Sequence, residues 1–200
     1  MKFEFKIPYV LLFLYVVLFT ALAVNPYDRT VWLAENIPIL LIVLILIFTR
    51  KYFEFSDTAY ILMSFLIFLH TIGGHYSFAR VPFDFVTNLF SFERNNFDRV
   101  AHFTVGFYAY AVAELLHAKK LVNSKVVLLL FPLFFIMSLA ASYELFEWQY
   151  AVLGNPEAGV EVLGSQGDIW DAQRDMLSDT LGAIFALGLF WLFNRKSLRE

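Results

Sequence analysis

The chain has no cysteine among its 200 residues. That excludes disulfides, thiolate metal sites and cysteine nucleophiles. Charge is scarce as well: 16% of residues are Asp, Glu, Lys or Arg, against about a quarter in an ordinary soluble domain. No basic cluster is present to suit nucleic acid, and a net charge of −3 says little about partners. No internal repeat, low-complexity tract or flexible linker divides the chain, so residues 1–200 read as one integral membrane domain. What is abundant is hydrocarbon. Sixty per cent of residues are hydrophobic, and Phe alone supplies 24 of them.

Crossing a bilayer takes about 20 mostly apolar residues. Six segments approach this: Ile7–Val24, Val31–Phe48, Thr58–Phe78, Val100–His117, Val126–Phe146 and Asp179–Phe193. The expected fold is therefore an all-α, polytopic membrane helix bundle with six transmembrane helices. The last run is short, which predicts a helix that begins earlier, in the acidic residues before it. Glu35 and Asn36 interrupt the second segment, so that helix either starts at Ile37 or buries Glu35 against a partner. Lys2, Lys6 and the run ending in Ala21-Leu22-Ala23 resemble a signal peptide, but 18 apolar residues are long for one, and the expectation is an uncleaved first helix.

With six spans both termini share a side, and ten of the fifteen cations fall there: Lys2, Lys6, Arg50, Lys51, Lys119, Lys120, Lys125, Arg195, Lys196 and Arg199. The other side has only Arg29, Arg80, Arg94, Arg99 and Arg174. The positive-inside rule puts both termini in the cytoplasm of a bacterium, with the chain in its inner membrane. Thirteen of the eighteen acids take the opposite, outer side, including Asp28, Asp84, Glu93, Glu157 and Glu161. The outer loops, Ala79–Arg99 and Glu147–Ser178, are also the longer ones.

The acids that call for a reason lie at outer helix ends. Asp168, Asp171, Asp175 and Asp179 are spaced three, four and four, which makes one stripe on a helix. Keeping like charges on one stripe where a helix enters a membrane is costly. Asp98 and His102 are four apart and share a face, the arrangement in which a carboxylate orients a metal-bound or proton-transferring imidazole. An ordinary helix cap with one interhelical hydrogen bond accounts for that pair equally well. Glu144 falls inside the fifth span, and an intramembrane acid is a functional hypothesis by default. Glu147, three residues on, reads as an interfacial acid beside Trp148 and Tyr150. Arg174 either neutralises the stripe or grips a phosphate or carboxylate. His75 is near the outer end of the third span and able to join the cluster; His70 is deeper and reads as a packed polar residue. Gly73-Gly74 between them suggests a kink. Ser165 has no base beside it and is not a nucleophile.

These residues carry a family resemblance. NPYDR around Asp28, HTIGGHYSF around His75, NNFDRVAHF around His102, YELFEW around Glu144 and GDIWDAQRDMLSDTLGA around Asp175 follow in an order that resembles the YjdF family of bacterial inner-membrane proteins of unknown function. More distantly, Asp98 with His102, then Glu144, then Arg174, Asp175, Asp179 and Gly182 are similar to the pattern of VanZ-like membrane proteins, associated with glycopeptide resistance. Glu147 and Thr180 stand roughly where that pattern often has Gln and Asn. Neither family carries an established reaction, so the resemblance implies where the site is and leaves its function open.

Three readings follow. The first is a polar outer-end site that binds a metal or a lipid headgroup, or merely fixes helix register. The second is an enzyme acting on a lipid or lipid-linked substrate at the outer leaflet. Asp98, His102, Glu144, Asp175 and Asp179 would be its catalytic groups, and Arg174, His75 and Asp171 its substrate contacts. A site of Asp, Glu and His without Cys suits Mg, Mn or Zn, with His102, Glu144, Asp175 and Asp179 as candidate ligands. The third is a proton-coupled transporter in which Glu144 and His102 titrate; spans without visible breaks or repeats speak against it.

Overall fold

A computed structural model describes residues 6–153, 163 and 165–198. Lys2, Glu157, Glu161 and Arg199, all used in the charge argument, lie outside them. The described residues form helices and no strands: α1 (Ile7–Leu22), α2 (Arg29–Thr49), α3 (Asp57–Tyr76), a 3₁₀ turn (Phe78–Arg80), α4 (Asp84–Leu89), α5 (Phe97–Val105), α6 (Tyr108–Ala118), α7 (Lys125–Leu153) and α8 (Asp171–Asn194).

Local chemistry sets several boundaries. Pro8 occupies the first turn of α1, where a missing N–H costs nothing. Asp28 caps α2, its Oδ1 accepting from the backbone of Thr30 at 2.7 Å and Val31 at 2.9 Å. Ser56 caps α3 through the N–H of Ala59, and Glu114 of α6 holds Ser56 in turn. Asp171, Asp175 and Asp179 of the acidic stripe do open the last helix, as its short apolar run predicts, whereas Asp168 lies in the loop before it. α2 starts before Glu35 and buries it, so the partner alternative is the one realised.

Four helices are long and apolar enough to cross a membrane by length and composition: α2, α3, α7 and α8. α1 is apolar but has 16 residues. The expected fourth span is not one helix. It breaks at Gly106–Phe107 into α5 and α6, where α5 meets α8 backbone to backbone. α3 runs continuously through Gly73-Gly74; a Cβ on Gly74 would lie 3.0 Å from the Cβ of Glu35 and 2.9 Å from Asn36, and its absence lets α2 close on α3.

Contacts between chain segments sort the helix ends into two groups. At one end Lys6 approaches Glu54, Lys119 reaches Tyr52, and His117 meets Ser197. At the other, Tyr27 donates to the carbonyl of His75, and Arg94 and Asn95 bond residues 165 and 166. Successive long helices therefore alternate in direction, and the acidic helix ends gather opposite the termini. α8 is the hub, packing on α5, α6 and α7, while α1 and α2 pack on α3.

Candidate functional site

The site is built where α5 crosses α8. A Cβ on Gly182 would fall 1.8 Å from the carbonyl oxygen of Phe103, and one on Gly106 would fall 2.2 Å from the amide nitrogen of Ala183. Only glycine permits this contact, so the two helices lie against each other with no side chain between them. One turn before the crossing, α5 presents Asp98 and His102, and α8 presents Asp175 and Asp179.

His102 is the centre of the cluster and is 8% exposed. Its Nδ1 is 3.3 Å from each carboxylate oxygen of Asp179, which is fully buried. Its Nε2 is 3.6 Å from Oδ1 of Asp98, one helical turn earlier on α5. One ligand atom from each of Asp98, His102 and Asp175 lies within 4.8 Å of the others. Asp175 is buried, yet its Oδ1 has no hydrogen-bond partner; the nearest cation atom is Nε of Arg99, 3.9 Å away. A buried carboxylate oxygen left in this state costs on the order of 1–3 kcal/mol or more, which makes it an acceptor in want of a ligand.

A second layer lies farther out. Asp168 accepts from Arg99 at 2.5 Å and from Arg174 at 2.5 Å, and Asp171 pairs closely with Arg94 and at 3.4 Å with Arg99. The N–H of Trp170 also donates to Asp168 at 3.0 Å. That bond, followed by the two guanidinium groups, holds the Asp168 carboxyl below the usual carboxylate range. The loops are tied together by Asn95 and Gln166. The Gln166 amide exchanges two hydrogen bonds with the Asn95 backbone, and the Asn95 side chain bonds the carbonyls of Ala79 and Val81.

A third group was only partly legible in the sequence. Glu35 is buried with its Oε2 3.1 Å from Nε2 of His70, and it accepts from the Tyr143 hydroxyl at 3.1 Å. The Tyr143 ring lies between the two imidazoles, with centroids 6.2 Å from His70 and 6.3 Å from His102. Glu35–His70 on one side and the His102 cluster on the other thus form one polar band. A cavity of about 200 Å³ runs alongside. Ile39, Leu66, Phe78, Val105 and Leu139 are among its apolar walls; His70, Asp98, His102, Tyr143, Glu147 and Asp179 are its polar ones.

The residues named from sequence thus separate. Asp98, His102, Asp175 and Asp179 come together. Glu144 is half-buried with a buried, unbonded Oε1, and lies outside the group of three with ligand spacing. Glu147, read as interfacial, is buried and lines the cavity. Asp171 and Arg174 belong to the outer ion pairs, with the Arg174 side chain half exposed. His75 does not join the cluster; its Nδ1 sits 2.7 Å from the carbonyl of Leu22, tying the end of α3 to the end of α1.

Comparison with known proteins agrees with this geometry at the level of family. Residues 7–196 match the family described as predicted membrane protein (DUF2238). The chain belongs to that family. It is 32% identical over 183 residues to "Inner membrane protein YjdF" of Escherichia coli (strain K12), a match covering 88% of this chain and 85% of that protein. The expected YjdF family and multi-pass inner-membrane placement therefore stand; the distant likeness to VanZ-like proteins is carried by neither match. No solved structure matches. The family's description names no reaction, so the site's chemistry has to be argued from its own atoms.

Proposed function

We propose that the outer-end cluster binds a hard or borderline divalent cation, Mg, Mn or Zn, through Asp98, His102 and Asp175. The protein around it is a six-span bundle with both termini in the cytoplasm. The orientation rests on the cation bias toward the termini-bearing end. In this arrangement α1 and the tandem α5–α6 complete the six spans.

The observation that carries the metal reading is the unbonded Oδ1 of buried Asp175 beside two further ligand atoms. Metal–ligand bonds of about 2.0–2.6 Å keep any two ligands of one ion within roughly 5 Å, and these three meet that bound. Asp179 has a supporting role. By bonding Nδ1 it fixes the ring so that Nε2 faces Asp98, as outer-sphere carboxylates do for metal-bound histidines. An ion would also compensate the excess of carboxylates over imidazoles in a region nearly free of water.

The cavity favours a second, narrower reading, that of an enzyme acting on an amphiphile. Its apolar walls suit a hydrocarbon chain, and its polar wall is the cluster itself. A bound ion would polarise a phosphoryl or acyl oxygen and lower the pKa of a water. Glu147, Tyr143 and His70 are the remaining polar groups on its wall able to contact a headgroup there.

The test is metal analysis of protein purified in detergent, with titration of Mg, Mn and Zn into chelator-treated protein. One equivalent of ion, and a melting temperature raised by it, are expected for the native chain. A protein that takes up no ion and melts identically with and without chelator overturns the proposal. Release of a phosphate or acyl product from lipid, dependent on the same ion, would separate the enzyme from a simple binding role.

A further inference from the structure

A second cavity lies at the opposite end of the molecule and owes nothing to the outer cluster. α1 and α2 both pack along α3 but scarcely on each other. They meet near their connecting loop, where the rings of Phe19 and Trp32 are 5.4 Å apart. From there they diverge toward the termini-bearing end and leave a cleft of about 520 Å³. Leu12, Val43, Leu46 and Phe68 are among its apolar walls. A space this large, walled by hydrocarbon within a membrane, is filled by hydrocarbon and not by water.

The mouth of the cleft is cationic. Arg50 and Lys51 line it, and Lys6 stands 3.7 Å from Glu54 across it. Glu54 is the lone acid among these groups and is shared between Arg50 at 2.5 Å and Lys6, so three cations face one carboxylate. Three polar atoms in the walls are buried without hydrogen-bond partners: Nε of Arg50 and the hydroxyls of Tyr15 and Tyr60. A buried guanidinium N–H that lacks an acceptor, at the head of an apolar cleft, asks for an anion carried on a hydrocarbon chain.

We propose that this cleft holds one anionic glycerophospholipid from the leaflet at the termini-bearing end, its phosphate between Arg50 and Lys51 and one acyl chain between α1 and α2. A zwitterionic lipid fits the walls equally well but brings a second positive group to a mouth that is already cationic. Arg50 is held ready for a phosphate: its guanidinium stacks on Tyr9 with its carbon 4.4 Å from the ring centre, and one Nη donates to Glu54 at 2.5 Å, which leaves its other nitrogens to donate.

The test is native mass spectrometry of the full chain released from nanodiscs of phosphatidylglycerol and phosphatidylcholine, mixed equally with matched acyl chains. One retained phosphatidylglycerol per chain is expected. Two surface cations are worth a preference of roughly 30-fold for the anionic lipid. Arg50→Gln combined with Lys51→Gln should abolish that preference, whereas Lys125→Gln with Lys196→Gln at the same end should leave it intact. Val43→Trp, which fills the cleft from its wall, should expel the lipid while the protein stays folded by circular dichroism.

Equal retention of both lipids would mean bulk solvation of the cleft and overturn the proposal. So would retention that appears only once residues 1–5 are removed, since the chain's own terminus would then be the occupant. A lipid-free dimer that Val43→Trp dissociates would overturn it in favour of a second copy.

Discussion

The two layers of the outer-end site come from one stripe of α8 and its approach, yet they are electrostatically opposite. In the outer layer, Asp168 and Asp171 are matched by Arg94, Arg99 and Arg174 at ion-pair distance. In the inner layer, Asp98 and Asp179 share a single imidazole, Asp175 has only Nε of Arg99 at 3.9 Å, Glu147 lines the adjoining cavity and Glu35 sits on His70. Direct pairs between charged side chains make the outer layer complete. The inner layer holds more carboxyls than cationic partners, and burial makes any carboxylate left unpaired there expensive. A structural network tends to look like the first. A binding site tends to look like the second, because its missing partner is the ligand.

The strongest way to break the distinction is to part the helices that carry both layers. Gly182→Leu forces a side chain into the carbonyl of Phe103 and should cost about 3 kcal/mol or more by overpacking. Melting in detergent should fall sharply, and ion binding should disappear with it. A variant with unchanged melting would mean that the crossing is looser than this contact requires.

Sharper resolution comes from exchanging one carboxyl for an amide in each layer. Asp175→Asn should abolish uptake of a divalent ion with little loss of fold. Asp179→Asn, acting through the orientation of His102, should weaken uptake about 10- to 100-fold. Asp171→Asn should leave uptake intact and instead lower stability by about 2 kcal/mol through the lost bonds to Arg94 and Arg99. Calorimetric titration and thermal melts of the three proteins read both effects. If Asp171→Asn and Asp175→Asn behave alike, the two layers are one network.

The smallest effect belongs to pH. The Asp168 carboxyl lies below its ordinary range in the folded chain, so its contribution is present above the unfolded value of about 3.9 and fades as pH falls through the lower, folded one. Acid titration below about pH 4 should therefore loosen the outer layer, as followed by the fluorescence of neighbouring Trp170. Asp168→Asn should remove that part of the acid response. An unchanged acid limb in the variant would show that another group controls it.

The convergence of Asp98, His102, Asp175 and Asp179 was legible because alternating spans must bring their outer ends together. The division of the stripe was not. It depends on Arg94 and Arg99, whose position follows from the fold of the 90–99 segment and its bonds to residues 165 and 166. The interfacial reading of Glu147 was also overturned, since it is buried, and here a signal existed. Pro132, Ile136, Ala140 and Glu147 are spaced four, four and seven, a single helical stripe, and all four are buried. Hydrophobic residues surround α7 on every side, so its polar positions alone did not reveal which face is internal. Tyr143 joins the site by its height on that helix, which hydropathy does not measure.

The glycine crossing also governs how far the site can move. His102 and Asp179 stand four and three residues from Gly106 and Gly182, roughly 6 and 4.5 Å along their axes at 1.5 Å per residue. With so short a lever arm, pivoting α5 by about ten degrees over α8 shifts these side chains by only about 1 Å. The His102–Asp179 contact sits near the fulcrum and is preserved through such a pivot. A larger shift of about 2 Å falls on Asp98 and Asp175, eight and seven residues from those glycines, so such a pivot would open or close the group with ligand spacing.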